Sequence, residues 1–191
     1  MLRICVFAGS NDGARDSYLI SAHELGAEIA RRGYGLVYGG ASCGLMGACA
    51  DAALAGGAEV VGVLPRALTT REIAHTRLTE MRIVGSLHER KAVMSALSDA
   101  VVALPGGCGT MDELFEAITW GQLGLHEKPI GLLDVDGYFG PLFAFLEHMN
   151  AEGFVRPALR LVHARTAREL LDWLLQAPPA SVSPPGPHPR P

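Results

Sequence analysis

Residues 104–116, LPGGCGTMDELFE, decide the fold, because they join an apolar segment to a helical pattern through three glycines in four positions. The apolar run that ends in this stretch, at 100–106, is typical of a strand buried inside a protein. Beyond the glycines, apolar side chains recur at spacings of three and four residues, which predicts an amphipathic helix. A strand that turns directly into a helix is the basic unit of folds with a parallel sheet.

The same alternation of strand and helix patterns extends through most of the chain. Buried strands are predicted at 3–8, 34–39, 59–65, 100–106 and 129–134, with a further short strand at 80–85. Amphipathic helices are predicted at 18–33, 44–57, 86–99, 111–124, 139–153 and 166–176. This order, with its short connections, indicates an α/β protein with a parallel sheet and helices on both faces.

In such proteins, ligands bind beyond the carboxyl ends of the strands. Four loops rich in glycine or polar residues follow predicted strands, at 8–13, 38–44, 64–72 and 104–110. A functional site is therefore expected to draw its residues from these loops and from the helices that follow them.

The composition indicates one folded domain with a tail. Of the 191 residues, 49% are hydrophobic and 19% are charged, which is typical of a globular protein. Seven of the twelve prolines lie in the last segment, 177–191. This segment cannot bury a core and is predicted to be a disordered Pro-rich tail behind a single domain, 1–176.

Charge and cysteine content indicate the partners and the compartment. The formal net charge is -4 and the basic residues are scattered, so neither nucleic acid nor a membrane surface is an expected partner. The four cysteines form no Cys-x-x-Cys pair, and the chain begins without a basic leader or a long apolar run. A protein of the reducing cytoplasm is therefore predicted.

Three familiar glycine motifs are not supported by these loops. The chain lacks the Gly-x-x-x-x-Gly-Lys-Ser/Thr of P-loops, and Asp112 stands where a dinucleotide-binding fingerprint needs glycine. GASCG, at 40–44, matches a nucleophile elbow, and Asp134 and His163 follow Ser42 in the order of a triad. A hydrolase triad is not favoured, because the serine follows only the second predicted strand and the chain is short for that fold.

Thr110 and Glu113 have the spacing of a capping box. In this motif a threonine accepts a hydrogen bond from an amide of the first helical turn, and a glutamate reaches back. Such a cap stabilises a helix by about 1 kcal/mol and requires no function. The segments 86–89 and 166–169 have the same spacing, so the pattern alone predicts a structural role.

Gly106, Gly107 and Gly109 favour a second interpretation of the same loop. A turn from strand to helix rarely needs three glycines, whereas glycines leave the amides of a helix N-terminus uncovered for an anion. The helix dipole adds about 0.3–1 kcal/mol to the binding of a phosphate there. The loop is therefore predicted to bind phosphate, with Glu113 either capping the helix or facing the ligand.

A second motif strengthens the functional interpretation. HERK, at 88–91, opens the helix before the glycine loop PGGCGTMDE, at 105–113. Together they resemble the LONELY GUY (LOG) family of cytokinin-activating phosphoribohydrolases, which carries an ERK helix and a PGGxGTxxE loop. Further segments stand in the order of that family: VFAGS, LVYGGASCGLMGACADAAL, GVLP, TWGQLGLHEKPIGLLDVDGY and EGF. The resemblance covers residues 2–175 and leaves out only the tail.

The resemblance implies a Rossmann-like, nucleotide-binding catalytic domain that hydrolyses the N-glycosidic bond of nucleoside 5′-monophosphates. The preferred substrates of the family are cytokinin riboside 5′-monophosphates, which are adenosine monophosphates substituted on the exocyclic amine. The products are the free cytokinin base and ribose 5-phosphate. Two alternatives remain open: a general purine nucleoside-monophosphate nucleosidase such as an AMP nucleosidase, and a non-enzymatic carrier of a phosphorylated ligand.

Transferred motif by motif, the resemblance implies that Arg90 and Glu113 form the catalytic pair. The implied substrate-binding residues are Glu72, Lys91, Gly107, Cys108, Gly109, Thr110, Met111, Asp112 and Thr119. Arg90 is expected to hold phosphate or ribose, and Glu113 to stabilise an oxocarbenium-like transition state or to orient or deprotonate water. The family also implies a homodimer with the site near the subunit contact. No cofactor is expected, and the dispersed histidines indicate no metal site.

Cys108 stands where the family commonly has a tyrosine, so the base preference remains open. A nucleophilic role for Cys108 is not favoured, because no histidine partner is evident. Relatives have often been named lysine decarboxylases, an activity that needs pyridoxal phosphate on a lysine. The chain has two lysines: Lys91 in the substrate motif, and Lys128, which precedes a proline and is expected to face solvent. Decarboxylation is therefore not expected.

Overall fold

The computed structural model describes residues 1–69, 74–155 and 161–176. Its strands are β1 (Arg3–Phe7), β2 (Gly35–Tyr38), β3 (Val60–Pro65), β4 (Glu80–Val84), β5 (Ala100–Ala103), β6 (Ile130–Leu133) and β7 (Leu161–Ala164). Its α-helices are α1 (Asp16–Arg31), α2 (Gly44–Ala55), α3 (Leu87–Ala96), α4 (Cys108–Gln122), α5 (Gly140–Ala151) and α6 (Ala167–Gln176). Short 3₁₀ turns, Arg66–Leu68 and Val135–Gly137, follow β3 and β6.

The strands form one parallel sheet with the order β4-β3-β2-β1-β5-β6-β7. β1 lies in the centre, where Cys5 is paired with Val37 of β2 on one side and with Val101 of β5 on the other. The chain builds one half of the sheet outward from β1 and then returns to build the other half from β5. The predicted α/β class with a parallel sheet is confirmed, and the switch point between β1 and β5 is where such sheets bind ligands.

Helices cover both faces of the sheet because the central strands are apolar on both sides. Every residue of β2, β3, β5 and β6 is buried, whereas the edge strand β4 is mostly exposed. One core packs α1, α2 and α6 against the sheet through buried residues such as Leu25, Leu45 and Leu170. The opposite core contains Met94 of α3 and Leu114 of α4, with partly buried side chains of α5 against it.

The sequence patterns predict six of these strands and all six helices, with ends displaced by a few residues. β7 is not predicted from the sequence, because it has only four residues, lies at the sheet edge and has only one fully buried residue. Within the described ranges, no helix is long and apolar enough to cross a membrane. The predicted tail, 177–191, lies outside the described residues.

Main-chain contacts hold together the loops that follow β1, β2 and β5. The amide of Gly9 donates to the carbonyl of Pro105 at 3.0 Å, and the amide of Met46 donates to the carbonyl of Gly9 at 3.2 Å. Gly44, with a φ of 59°, lies so close to the first loop that a Cβ there would be 2.3 Å from the carbonyl carbon of Ser10. The three loops therefore surround one opening at the switch point.

Candidate active site

A pocket of about 400 Å³ opens between these loops, at the carboxyl ends of the central strands. Both its size and its position suit a small-molecule ligand. The residues that line it are Ala8, Gly9, Ser10, Asn11, Asp12, Gly13, Tyr18, Leu45, Met46, Arg90, Pro105, Gly106, Gly107, Cys108, Gly109, Thr110, Glu113 and Tyr138.

The glycines between β5 and α4 expose the start of α4 to this pocket. A Cβ on Gly106 would lie 2.1 Å from Thr110 Oγ1, so close packing excludes a side chain there. Apart from its chain neighbours and the adjoining backbone of α4, no heavy atom of the described residues lies within 4 Å of a Cβ built on Gly107 or on Gly109. Neither of these two has a positive φ. Packing and backbone conformation therefore leave them unexplained, whereas a ligand close to the helix amides would explain both.

Thr110 and Glu113 do not cap α4, so the capping-box prediction is wrong here. The helix begins at Cys108 with Gly107 as its N-cap residue, so Thr110 and Glu113 are both helical residues and neither is at the N-cap position. No side chain of the described residues caps this helix. Cys108, Gly109 and Thr110 adopt helical geometry and extend α4 by three residues beyond the predicted start at 111. Glu113 is thereby freed for another partner.

The other two helices with the same spacing are capped as predicted. Ser86 Oγ accepts a hydrogen bond from the Glu89 amide at 3.1 Å, and the Glu89 carboxylate accepts one from the Gly85 amide at 2.6 Å. Thr166 Oγ1 accepts a hydrogen bond from the Glu169 amide at 3.3 Å. The α4 segment is therefore the exception among three similar sequences.

Glu113 is paired with Arg90 in the floor of the pocket. Arg90 Nη2 of α3 donates a hydrogen bond to Glu113 Oε1, and the two side chains are only 11% and 7% exposed. Burial raises the pKa of Glu113 above its ordinary value, and the nearby guanidinium limits this rise. Arg90 Nε is buried without a hydrogen-bond partner among the described residues. The pair therefore places a carboxylate and a cation with a spare donor in one poorly solvated site.

Lys91 pairs with other carboxylates than its neighbour Arg90 does. Its ammonium group lies 3.0 Å from Asp112 Oδ2 and 3.1 Å from Glu116 Oε1, so it joins α3 to α4. Burial lowers the pKa of Lys91 and the two carboxylates raise it, with a net rise. Lys91 is therefore a charged, paired residue at the helix contact, and it is not among the described residues that line the pocket.

Three further predicted residues lie on the outer surface of α4. Met111, Asp112 and Thr119 line a separate shallow depression on this helix. Thr119 Oγ1 donates to the Phe115 carbonyl at 2.7 Å. Glu72 lies outside the described residues. Of the predicted site residues, the structure therefore brings together Arg90, Glu113 and the segment 107–110, but not the α4 surface residues.

Tyr138 and Tyr18 belong to the pocket but are not predicted from the sequence. The Tyr138 hydroxyl donates to the Gly106 carbonyl at 2.5 Å. The two rings meet edge to face with their centroids 5.8 Å apart. The only available signal is that Tyr138 follows a predicted strand by a few residues, at the end of the sheet where sites form.

The triad considered for Ser42 is not supported by its supposed partners. Asp134 Oδ1 accepts a hydrogen bond from the Phe139 amide at 2.8 Å, and the His163 ring packs against Phe143. Among the described residues, no group of three or more His, Cys, Asp and Glu side chains is placed to hold a metal ion.

Lys128 does not face solvent as expected. It is partly buried, its ammonium group donates to the Ser95 carbonyl, and burial lowers its pKa. The ammonium group therefore lies against α3, to which Ser95 belongs.

The amino-acid sequence matches known proteins over most of its length. A family model described as possible lysine decarboxylase matches residues 46–173. The chain is 54% identical over 171 residues to the Oryza sativa subsp. japonica protein named "Probable cytokinin riboside 5'-monophosphate phosphoribohydrolase LOGL1", covering 88% of this chain and 77% of that one. It is 48% identical over 179 residues to the Arabidopsis thaliana cytokinin riboside 5'-monophosphate phosphoribohydrolase LOG3, covering 93% and 83% of the two chains.

Solved structures share the fold at lower identity. The molybdenum cofactor carrier protein from Chlamydomonas reinhardtii is 24% identical with a TM-score of 0.70, over 92% of this chain and 96% of that one. The molybdenum cofactor binding protein from Rippkaea orientalis is 23% identical with a TM-score of 0.68, over 91% and 95% of the two chains. This likeness shows the fold alone. The sequence matches go further and show that the chain belongs to the LOG family, whose curated members are named cytokinin riboside 5'-monophosphate phosphoribohydrolases.

Proposed function

We propose that this protein hydrolyses the N-glycosidic bond of cytokinin riboside 5′-monophosphates to release the cytokinin base and ribose 5-phosphate. The observation that carries the proposal is the buried pair of Arg90 and Glu113 in the same pocket as an uncovered helix N-terminus. The names of relatives about half identical to this chain support the choice of substrate. The single catalytic domain is proposed to comprise residues 1–176.

The substrate phosphate is proposed to bind at the start of α4. The first amides of a helix have no partner within the helix, and the helix dipole favours an anion beside them. Gly107 and Gly109 leave room for the phosphate oxygens, and Cys108 and Thr110 complete this first turn. The phosphate then fixes the position of the ribose relative to Glu113.

Glu113 is proposed to act on the anomeric carbon. As the bond from C1′ to the base nitrogen breaks, its electron pair leaves with the base and positive charge develops on the ribose. An ionised carboxylate stabilises that charge most strongly where water is largely excluded, as it is at Glu113. A water molecule then adds to C1′ and loses a proton, and the base gains one.

Arg90 is proposed to hold the substrate rather than to transfer a proton. A guanidinium stays protonated at physiological pH and is therefore a poor acid. Its contact favours the ionised form of Glu113 and so limits the rise in pKa that burial causes. Its unpaired Nε supports a contact to phosphate or ribose.

A decarboxylase, as the description of the family model would have it, is not supported by the lysines. A pyridoxal phosphate enzyme needs a lysine amine free to form a Schiff base. Lys91 is bound by two carboxylates and Lys128 donates to a carbonyl. Neither belongs to the described lining of the pocket.

The proposed homodimer would give the outer residues of α4 a role. We propose that three of them, Met111, Asp112 and Thr119, bind substrate where two subunits meet. Lys91 of α3 and Glu72 are proposed to bind substrate with them. Exposed apolar side chains at the start of α3 (Leu87) and directly after α4 (Leu123) support such a contact. Sedimentation equilibrium should give twice the chain mass, and a monomer at all concentrations would exclude the dimer.

Four free cysteines support the proposed cytoplasmic location.

Base release from two nucleotides tests the activity. Incubation with isopentenyladenosine monophosphate should release the free base faster than incubation with AMP releases adenine. Equal rates would favour a general nucleoside-monophosphate nucleosidase. Binding of both nucleotides without any release would favour a non-enzymatic carrier.

Replacement of the carboxylate tests the assigned chemistry. Glu113→Gln should reduce turnover by about 10²–10³-fold, because a single preorganised electrostatic group contributes on that order. Nucleotide binding should be largely retained. Glu24→Gln, on the exposed side of α1, is the matched control and should keep full activity. Full activity of Glu113→Gln would exclude the proposed role.

A further inference from the structure

The turn between β6 and α5 has an unusual backbone. Asp136 has a φ of 52° and is the non-glycine residue with a positive φ within the described ranges. Gly137 follows with a φ of 74°. A left-handed aspartate is less favourable than an extended or helical one, and such conformations persist where surrounding contacts hold them, frequently at functional sites. The turn therefore raises the question of what it positions.

Contacts on both sides hold this turn in place. The Ser17 hydroxyl of α1 donates to Asp136 Oδ2 at 2.7 Å, and the Arg15 guanidinium lies 3.5 Å from the same oxygen. At the base of the turn, Asp134 Oδ1 accepts a hydrogen bond from the Phe139 amide, and Phe139 is 1% exposed. The turn is thus tied to α1 and anchored in the core.

The residue that this turn presents to the pocket is Tyr138. Its ring packs edge to face against Tyr18 at 5.8 Å and against Phe139 at 5.1 Å between centroids. Its hydroxyl reaches the loop before α4 and donates to the Gly106 carbonyl at 2.5 Å. The turn therefore connects α1 and β6 to the proposed phosphate-binding loop.

The Gly106 carbonyl belongs to a peptide group whose direction is only weakly fixed by the backbone torsions beside it. It lies between two glycines, and glycine has the widest range of backbone conformations. A trans peptide is planar, so its amide hydrogen, on Gly107, points away from its carbonyl oxygen. A hydrogen bond to the carbonyl consequently fixes the direction of the Gly107 amide as well.

We propose that Tyr138 is a positioning residue for phosphate binding, whose hydroxyl holds the Gly106–Gly107 peptide in the orientation that presents the Gly107 amide to the ligand. Tyr138 acts through the loop and needs no contact with the reacting atoms. The identity of the phosphorylated ligand rests on the proposed function, but the effect on phosphate binding does not.

Tyr138→Phe tests this role, because it removes the hydroxyl and keeps the ring. The affinity for ribose 5-phosphate and for inorganic phosphate, measured by titration calorimetry, should fall about 5- to 15-fold, as expected for one hydrogen bond. With nucleotide substrates, KM should rise by a similar factor while kcat stays within about twofold. Tyr34→Phe, which removes a hydroxyl distant from the pocket, should change neither quantity.

Adenosine, which lacks the phosphate, separates this role from a general structural one. Its binding should be equal in wild type and Tyr138→Phe, whereas a disturbed pocket would weaken both ligands. Unchanged phosphate affinity in Tyr138→Phe, or a loss of kcat without a change in KM, would overturn the inference. Failure of the wild type to release base from any nucleotide would overturn the proposed function, and the phosphate titrations would still decide the role of Tyr138.

Discussion

The three glycines before α4 are glycine for different reasons. At Gly106 a side chain would collide with Thr110 and with the Gly9 amide, at 2.1 and 2.8 Å from its Cβ. At Gly107 and Gly109 a Cβ would meet no atom of the described residues within 4 Å beyond its chain neighbours and the adjoining backbone of α4. Their absence of side chains is therefore explained by the ligand we propose and not by the fold. Substitutions can separate these two reasons.

Gly109→Ala should stabilise the protein and weaken phosphate binding. Gly109 lies in the first turn of α4. Alanine is favoured over glycine in a helix by about 0.5–1 kcal/mol, because alanine loses less backbone entropy than glycine when the chain folds. The added methyl group would occupy space beside the phosphate oxygens and lower the affinity. Urea denaturation and titration with ribose 5-phosphate measure the two effects.

Gly106→Ala is the matched comparison in the same loop. It should lower the free energy of unfolding by about 1–3 kcal/mol or more, since Thr110 and the loop after β1 have to move. Unchanged phosphate affinity in Gly109→Ala would show that this glycine is not kept for a ligand.

Helix starts explain why the capping-box pattern predicts the role of two segments correctly and fails at the third. Ser86 and Thr166 cap their helices, and Ser86 has the extended backbone of an N-cap residue. At Thr110 the same pattern falls inside the helix, because Cys108 and Gly109 before it are already helical and Gly107 is the N-cap residue. A local pattern cannot show this, because the start of α4 depends on packing of Gly106 against the loop after β1.

Elements with strong periodicity are predicted, and contacts between distant elements are not. The buried strands and the amphipathic helices follow from the order of apolar residues, whereas β7 is too short and too exposed to give a signal. In the site, the glycine loop and Arg90 were predicted from their motifs and lie in the pocket. The contact of Tyr138 with Gly106 spans 32 residues and arises from an irregular turn, so no local pattern reveals it.

The order of strands brings the pocket residues together across the whole molecule. α3 precedes β5 and α4 follows it, so Arg90 and Glu113 approach from consecutive helices on one face of the sheet. β1 lies next to β5, and its loop supplies the opposite wall through Ser10 and its neighbours. The proposed catalytic pair and the proposed phosphate-binding loop are therefore brought together by one crossover at the centre of the sheet.

The first and last described helices are joined on the other face. Arg32, the C-cap residue of α1, donates to Glu28 at 2.7 Å and to Asp172 of α6 at 2.7 Å. It also donates to the Arg168 carbonyl at 3.0 Å. Arg31 also donates to Glu28, with both hydrogen bonds at 2.6 Å. The Arg32 and Glu28 side chains are each 12% exposed, so solvent screens this network less than it screens surface ion pairs.

Glu28 should therefore give the whole molecule a stability that depends on pH. Hydrogen bonds from Arg31, and then from Arg32, lower the pKa of Glu28 from 4.5 to about 2 in the folded protein. Because the folded pKa is below the unfolded one, the contribution is complete above about pH 5 and is lost as pH falls toward 2. We expect Glu28→Gln to lower the free energy of unfolding at pH 7 by about 1–3 kcal/mol, since one pKa unit corresponds to about 1.4 kcal/mol and Arg31 is exposed.

Urea denaturation of wild type and Glu28→Gln from pH 7 to pH 3 measures this difference. The two stability curves should converge as the pH falls, because protonated glutamate and glutamine bind the arginines about equally weakly. Glu80→Gln is the control, since Glu80 also pairs with an arginine, Arg82, but on the exposed edge strand. Water already screens that pair, so its removal should change stability much less. Parallel curves for wild type and Glu28→Gln would show that Glu28 does not stabilise the junction of α1 and α6 through its charge.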